Sequence, residues 1–128
     1  MIHFHILIFM NICTELYNSF PVRMNMANNK HTVKRIGTLG KEEVFEAVDA
    51  AFDMLVTEGL VRYTSKSEGH LYTDVVLTPK GYVMLSAKSN NEQKPMVKSF
   101  LECEETGFDR LCVDVYADFM HALVGMRA

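Results

Sequence analysis

The sequence contains no tryptophan, only three prolines and only three cysteines in 128 residues. Three cysteines are too few for a disulfide scaffold, and they favour a reducing, cytoplasmic environment. The formal net charge of -3 excludes a chain that attracts nucleic acid or acidic membranes through its total charge. Hydrophobic residues make up 48% and charged residues 23%, which is the composition of a globular chain rather than a disordered or fibrous one.

The most apolar stretch, residues 2–10, is about half as long as the roughly 20 residues that span a bilayer. No lysine or arginine precedes it and no small-residue cleavage site follows it, so we expect neither a membrane span nor a secretory signal. Apolar residues recur at spacings of three and four, which predicts a buried helix: Ile6, Phe9, Cys13, Leu16 and Phe20. Pro21 ends this helix because the residue before a proline is disfavoured in the α region.

The middle of the chain changes from helical to strand periodicity. Residues 22–26 are a candidate short strand, and residues 31–36 a candidate short helix. Apolar residues at helical spacing predict a longer helix over 41–58, which ends at Gly59. The period then falls to two, which predicts an antiparallel hairpin.

The arms of this hairpin are residues 60–64 and 71–77, joined by a glycine-containing turn. Thr78 is a candidate N-cap for a helix that begins at Pro79. A polar linker over residues 86–95 follows this helix.

Two phrases flank the hairpin: Leu55-Val56-Thr57-Glu58-Gly59-Leu60-Val61 before it and Leu77-Thr78-Pro79-Lys80-Gly81-Tyr82 after it. In these phrases the chain resembles the winged-helix domains of bacterial transcription regulators. The resemblance implies an α+β winged helix-turn-helix fold, with a three-helix core and a two-stranded β-hairpin as its wing. We therefore predict a winged-helix domain over residues 1–88 and a helical extension over residues 89–128.

The extension contains two predicted helices, over residues 96–105 and 109–124. The resemblance implies that helices after the wing form a homodimer. The candidate interface consists of apolar residues at helical spacing: Phe100, Leu101, Leu111, Val115, Phe119 and Leu123.

In a helix-turn-helix protein the second helix enters the major groove of DNA. The resemblance therefore implies a transcription regulator that binds double-stranded DNA as a homodimer, through helix 41–58 and the wing. The candidate DNA contacts are the basic residues of this region: Lys30, His31, Lys34, Arg35, Lys41, Arg62 and Lys66.

Helix 41–58 departs from this pattern because it carries six carboxylates and one lysine, a net charge of -5. Affinity for nucleic acid rests mainly on lysine and arginine that neutralise phosphates, so this face would be repelled by the groove. The alternative is a winged-helix protein-protein interaction module that does not bind DNA and uses the acidic helix as its contact face. Both hypotheses stay open, because the sequence does not show whether the basic residues converge.

No pattern of residues indicates an enzyme, a cofactor or a metal site. The run Gly37–Lys41 is too short for a phosphate-binding loop, and no strand precedes it. Cys103 and Cys112 are nine residues apart, wider than paired metal ligands, and we expect both to be small core residues. We therefore predict no catalytic residues, no cofactor and no metal.

Overall fold

The structure is a computed structural model that describes residues 2–27, 41–67, 71–88, 94–106 and 109–127. Within these residues the protein is α+β, with five helices and a small antiparallel sheet of four strands. The helices are α1 (Ile2–Ser19), α2 (Lys41–Thr57), α3 (Pro79–Ser86), α4 (Met96–Thr106) and α5 (Asp109–Arg127). The strands are β1 (Met24–Ala27), β2 (Val61–Arg62), β3 (Ser65–Lys66) and β4 (Leu71–Leu77).

The helices predicted from apolar spacing are confirmed. Their ends agree with the sequence to within three residues, except that α1 begins at Ile2, four residues before the first residue of its predicted apolar set. The short strand predicted over residues 22–26 is confirmed in part, because β1 begins two residues later. The short helix predicted over residues 31–36 lies outside the described residues.

Helix α1 lies at the centre of the core and packs against α2, α3, α4, α5 and β4. Its residues Ile6–Met10 are all buried, so the helix has no solvent-facing side over this turn. The polar residues of this helix are covered to different degrees: Asn18 is exposed, but Asn11 and Glu15 are partly covered. A helix that is apolar all round is buried all round.

Strand β4 is the central strand of the sheet, with β1 on one side and β2 and β3 on the other. In the predicted first arm, residues 60–64, Val61 and Arg62 form β2, and strand pairing with β4 resumes in β3 at Ser65 and Lys66, which the sequence placed in the turn. The hairpin prediction is thus confirmed, although its first arm is interrupted.

A bulge shapes the pairing of β1 with β4. Met24 pairs with Val75 and Met26 with Tyr72, so two residues of β4 lie opposite Asn25. One of these two is Asp74, whose φ of 55° lies in the left-handed region. Asn25 Oδ1 accepts a hydrogen bond from the Asp74 amide at 3.1 Å, which replaces the interrupted ladder bond.

The two phrases around the hairpin meet in space. Gly59 has a φ of 75°, which turns the chain out of α2. Thr78 then joins the phrases, because its hydroxyl donates to the Gly59 carbonyl at 2.6 Å and its amide donates to the Leu60 carbonyl at 2.9 Å. The Thr78 hydroxyl also accepts from the Gly81 amide at 3.1 Å, which confirms the predicted N-cap of α3.

The backbone of Gly81 lies so close to the Leu60 carbonyl that only glycine fits at this position. A Cβ atom at this position would lie 2.2 Å from the Leu60 carbonyl oxygen, a distance that no side chain tolerates. Directly before Gly81, Lys80 Nζ donates to the Glu58 carbonyl at 3.0 Å and satisfies an otherwise open carbonyl at the end of α2. Both phrases therefore have a structural explanation, as a joint between α2 and α3.

The C-terminal helices pack on α1 in the same core. The Phe9 ring contacts the rings of Phe100 and Phe119, at centroid distances of 6.1 Å and 5.6 Å. Cys103 and Cys112 are buried, as predicted for small core residues, and the Cys112 thiol donates to the Cys103 carbonyl at 3.8 Å. One continuous cluster of buried side chains thus includes residues of both predicted segments, 1–88 and 89–128.

Candidate nucleic-acid interface

The exposed side of α2 is acidic where the structure describes it. Glu46, Asp49 and Asp53 follow one another at spacings of three and four, which places them on one side of a helix. Glu46 and Asp53 are exposed, whereas Asp49 is partly buried. We name these three residues the acidic face. Glu43 is also exposed, one turn before it.

Asp49 connects the acidic face to the hairpin. Tyr72 Oη donates to Asp49 Oδ1 at 2.5 Å, and Lys66 Nζ lies 3.1 Å from Asp49 Oδ2. The same ammonium group lies 5.5 Å from the centre of the Tyr72 ring. Burial raises the pKa of the Tyr72 phenol, and its hydrogen bond to Asp49 raises it further, so the phenol stays protonated and donates.

Three aromatic rings hold the hairpin against α2. Phe52 stacks on Tyr72 with ring centroids 4.0 Å apart, and Tyr63 meets Tyr72 edge-on at 5.0 Å. Offset and edge-on pairs are favourable beyond the area that they bury. The hairpin therefore packs on α2 in a set position, with Lys66 beside Asp49.

Two of the predicted DNA contacts have described side chains, and they lie on one arm of the hairpin. Arg62 is exposed on β2. Lys66 is on β3 and is paired with Asp49, so a phosphate would compete with that carboxylate for its charge. The remaining predicted contacts lie outside the described residues or, for Lys41, have a side chain outside the description: Lys30, His31, Lys34, Arg35 and Lys41.

The sequence does not predict the hydrogen bond between Tyr72 and Asp49. The two residues are 23 positions apart, and no local pattern connects them. The available signal was the alternation at the start of β4, where Tyr72 is buried between the less buried Leu71 and Thr73.

The residues predicted for a dimer interface are mostly covered within one chain. Phe100, Val115, Phe119 and Leu123 are each less than 5% exposed, and Leu111 packs against the same core. Leu101 is the exception, with 48% of its surface exposed. The apolar spacing in α4 and α5 thus reflects packing on α1, and the four buried side chains are not available to a second subunit.

A polar group lies between α1 and α4. Asn11 Nδ2 donates to Glu104 Oε1 at 2.7 Å, and Thr14 Oγ1 donates to Glu104 Oε2 at 3.1 Å. Burial raises the pKa of the Glu104 carboxyl, and the two hydrogen bonds oppose this rise only in part. Asn11 Oδ1 and Ser99 Oγ are buried and have no hydrogen-bond partner among the described residues.

An open, mostly apolar cleft of about 230 Å³ lies where α1, α2 and α5 approach one another. Its walls are His5, Ile6, Phe9, Ala47, Ala50, Ala51, Met54 and Tyr116. Burial raises the pKa of the Tyr116 phenol. In the described part of the chain, no three His, Cys, Asp or Glu side chains form a group that could hold a metal ion.

Comparison of the chain with protein-family models, with curated proteins and with solved structures gives no match. None of the helices in the described part of the chain combines the length and the apolar character that a membrane crossing needs.

Proposed function

We propose that the chain is a winged-helix protein whose acidic face binds a basic segment of a partner protein. The order of elements supports the winged-helix part of this proposal. An initial helix, a strand, a helix and a hairpin follow one another, and β4 lies between β1 and the first arm of the hairpin. The helix in the position that reads DNA in such proteins is α2.

The observation that carries the protein-binding part is the charge of α2 and of its neighbour on the hairpin. Glu46 and Asp53 are exposed carboxylates, and the nearest described lysine, Lys66, is already paired with Asp49. Close approach of phosphates to this surface would add like charges without releasing counterions from lysine or arginine. A lysine- or arginine-rich segment would instead find opposite charges at helical spacing.

Binding to two probes tests this proposal. We expect a labelled oligo-lysine peptide to bind the full chain, with an affinity that falls as salt rises. The double variant Glu46→Lys with Asp53→Lys reverses two charges of the acidic face, and it should weaken peptide binding at least about tenfold.

The control is Glu105→Lys, which reverses an exposed carboxylate on α4 instead. It should change the affinity less than about twofold, because it leaves the acidic face on α2 unaltered and salt screens the effect of charges outside the binding site. Asp53→Lys alone changes the net charge by the same amount as Glu105→Lys. Equal loss in these two single variants would mean that the peptide responds to total charge alone, and the acidic face would then not be the site.

The second candidate function is DNA binding, which the exposed position of Arg62 on the hairpin favours. It also requires the basic residues that precede α2 in the sequence, among them Lys34 and Arg35. If a random-sequence duplex binds and the double variant Lys34→Glu with Arg35→Glu abolishes the binding, DNA is the partner. Duplex binding that survives this variant at moderate salt excludes the predicted basic contacts.

A further inference from the structure

The cleft between α1, α2 and α5 borders the acidic face. Ala50, an exposed residue of α2, forms part of its wall. Glu46 precedes Ala50 by four residues and Asp53 follows it by three, and residues at these spacings are neighbours on a helix surface. Met54, one turn after Ala50, also lines the cleft. The cleft and the two exposed carboxylates therefore form one continuous surface.

The inside of the cleft differs in character from its edge. None of the described residues that line it is Asp, Glu, Lys or Arg. Burial raises the pKa of the Tyr116 phenol, so this part of the wall stays uncharged at neutral pH. An ammonium group inside the cleft would find no carboxylate there, and its burial would be unfavourable. A basic side chain of a bound segment therefore stays at the acidic face, and an uncharged side chain enters the cleft.

The shape and size of the cleft favour a flat side chain. On the α2 side the wall contains three methyl side chains, those of Ala47, Ala50 and Ala51. Phe9 and Tyr116 line it from α1 and α5, with ring centroids 5.4 Å apart and ring planes at 89°. A further ring can pack against such a pair by stacking and edge-on contact. The volume of about 230 Å³ exceeds that of a cavity of roughly 150 Å³ that binds benzene, so one aromatic side chain fits.

The cleft is open to solvent and has a fixed base. His5 and Ala50 are exposed, and Met54 is partly buried, so a side chain can enter from outside. At the base, Phe9 and Ala47 belong to the buried core and are held in place by its packing. A pocket that already has its shape costs little to organise when a side chain binds.

We propose that the basic segment of the partner protein inserts one aromatic side chain into this cleft while its lysines or arginines lie along the acidic face. This inference rests on the proposed function and adds a second feature to the partner. Neighbours at these helical spacings have Cβ atoms about 5–6 Å apart, so the aromatic residue lies within a few positions of a basic one in the partner's sequence. The charges attract any basic segment, and the cleft selects those that carry an aromatic residue.

Binding of two peptides to the full chain tests the aromatic contact. Each peptide has about eight lysines, and the two differ only at the central residue, which is tryptophan in one and alanine in the other. Calorimetry should show that the tryptophan peptide binds at least about fivefold more tightly, because its ring is removed from water. The chain has no tryptophan, so the indole of the peptide can be excited selectively. Its emission should shift to shorter wavelength on binding.

Ala50→Leu fills part of the cleft and leaves every charge in place. It should reduce the preference for the tryptophan peptide to less than about twofold and abolish the emission shift, while the affinity for the alanine peptide stays the same. The matched control is Ala122→Leu, which enlarges an exposed alanine of α5 that does not line the cleft. It should keep both the preference and the emission shift.

Equal affinity for the two peptides overturns the aromatic contact, and so does a preference that survives Ala50→Leu or is lost equally in Ala122→Leu. The acidic face remains the binding site in these cases, provided that the double variant Glu46→Lys with Asp53→Lys still weakens both peptides. Failure of the proposed function gives a different result. Neither peptide then responds to the double variant, and both proposals are overturned.

Discussion

The helical side of the core (α1, α4 and α5) and the hairpin side (α2, α3 and the strands) are held together by different kinds of contact. On the helical side, apolar rings fill the space between helices, as where Phe100 and Phe119 lie 5.3 Å apart. On the hairpin side, individual polar atoms meet, as where Thr78 donates to the Gly59 carbonyl. The helical side therefore depends mainly on apolar volume, whereas the hairpin side depends on the Phe52–Tyr72 stack and also on where single polar atoms lie.

The largest expected effect is on the helical side. Phe119→Asp should unfold the chain rather than yield a folded monomer, because the side chain is only 1% exposed and the carboxylate would have no partner. Circular dichroism and light scattering check this. Leu101→Asp, on the exposed surface of α4, is the control and should keep the helical spectrum. A folded Phe119→Asp chain would show that the helical side tolerates a charge.

The next largest effect is on the hairpin side, where no volume is removed. Gly81→Ala should lower the free energy of unfolding by about 2–3 kcal/mol, because the new methyl group overlaps the Leu60 backbone. Chemical denaturation measures the change. The control is Gly125→Ala in α5, where an added Cβ meets no described atom within 4 Å and should stabilise the helix by about 0.8 kcal/mol. Equal stability of Gly81→Ala and the unaltered chain would remove the close approach as the reason for this glycine.

A smaller effect is expected from Tyr72→Phe, which keeps the stacked ring and removes one hydroxyl. The loss should be about 1–2 kcal/mol, since the partly buried Asp49 carboxylate loses a donor. Urea denaturation gives the value, with Tyr63→Phe as the control because its ring packs in the same cluster. If both variants lower the free energy of unfolding by the same amount, the hydrogen bond to Asp49 gives Tyr72 no contribution beyond that of a neighbouring tyrosine hydroxyl.

The smallest effect concerns the partly buried Glu104 carboxyl on the helical side. Because burial raises the pKa of Glu104 above its unfolded value, the folded chain binds the proton more tightly than the unfolded chain does. Stability should therefore fall as pH rises from the unfolded pKa, near 4.5, through the raised folded pKa. Glu15 and Glu105 face the same carboxyl and add to its rise.

Glu104→Gln removes the titration and should flatten this part of the stability curve, measured as Tm against pH. Glu102→Gln is the control, since Glu102 is paired with Lys94 at the surface. A slope that persists in Glu104→Gln would assign the pH dependence to other groups.

Much of the local structure could be predicted from the sequence because it depends on neighbours along the chain. The spacing of apolar residues predicts α2 and α5, and Thr78 before Pro79 predicts the start of α3. The site could be predicted only in part. The carboxylates of α2 are visible in the sequence, whereas the bond between Asp49 and Tyr72 joins residues 23 positions apart.

The same apolar spacing also misled the prediction of the dimer interface. A periodic face shows that a helix must be covered, and it does not show by what. In α5 the cover is α1, so Val115 and Phe119 are core residues and the weaker pattern of Val113 and Val124 is left at the surface. The sequence by itself determined the helices, the hairpin and the charge of α2, since these follow from period and residue type. Only the tertiary structure decided which apolar face of α5 packs in the core and that Lys66 pairs with Asp49, because burial and ion pairing depend on contacts between distant residues.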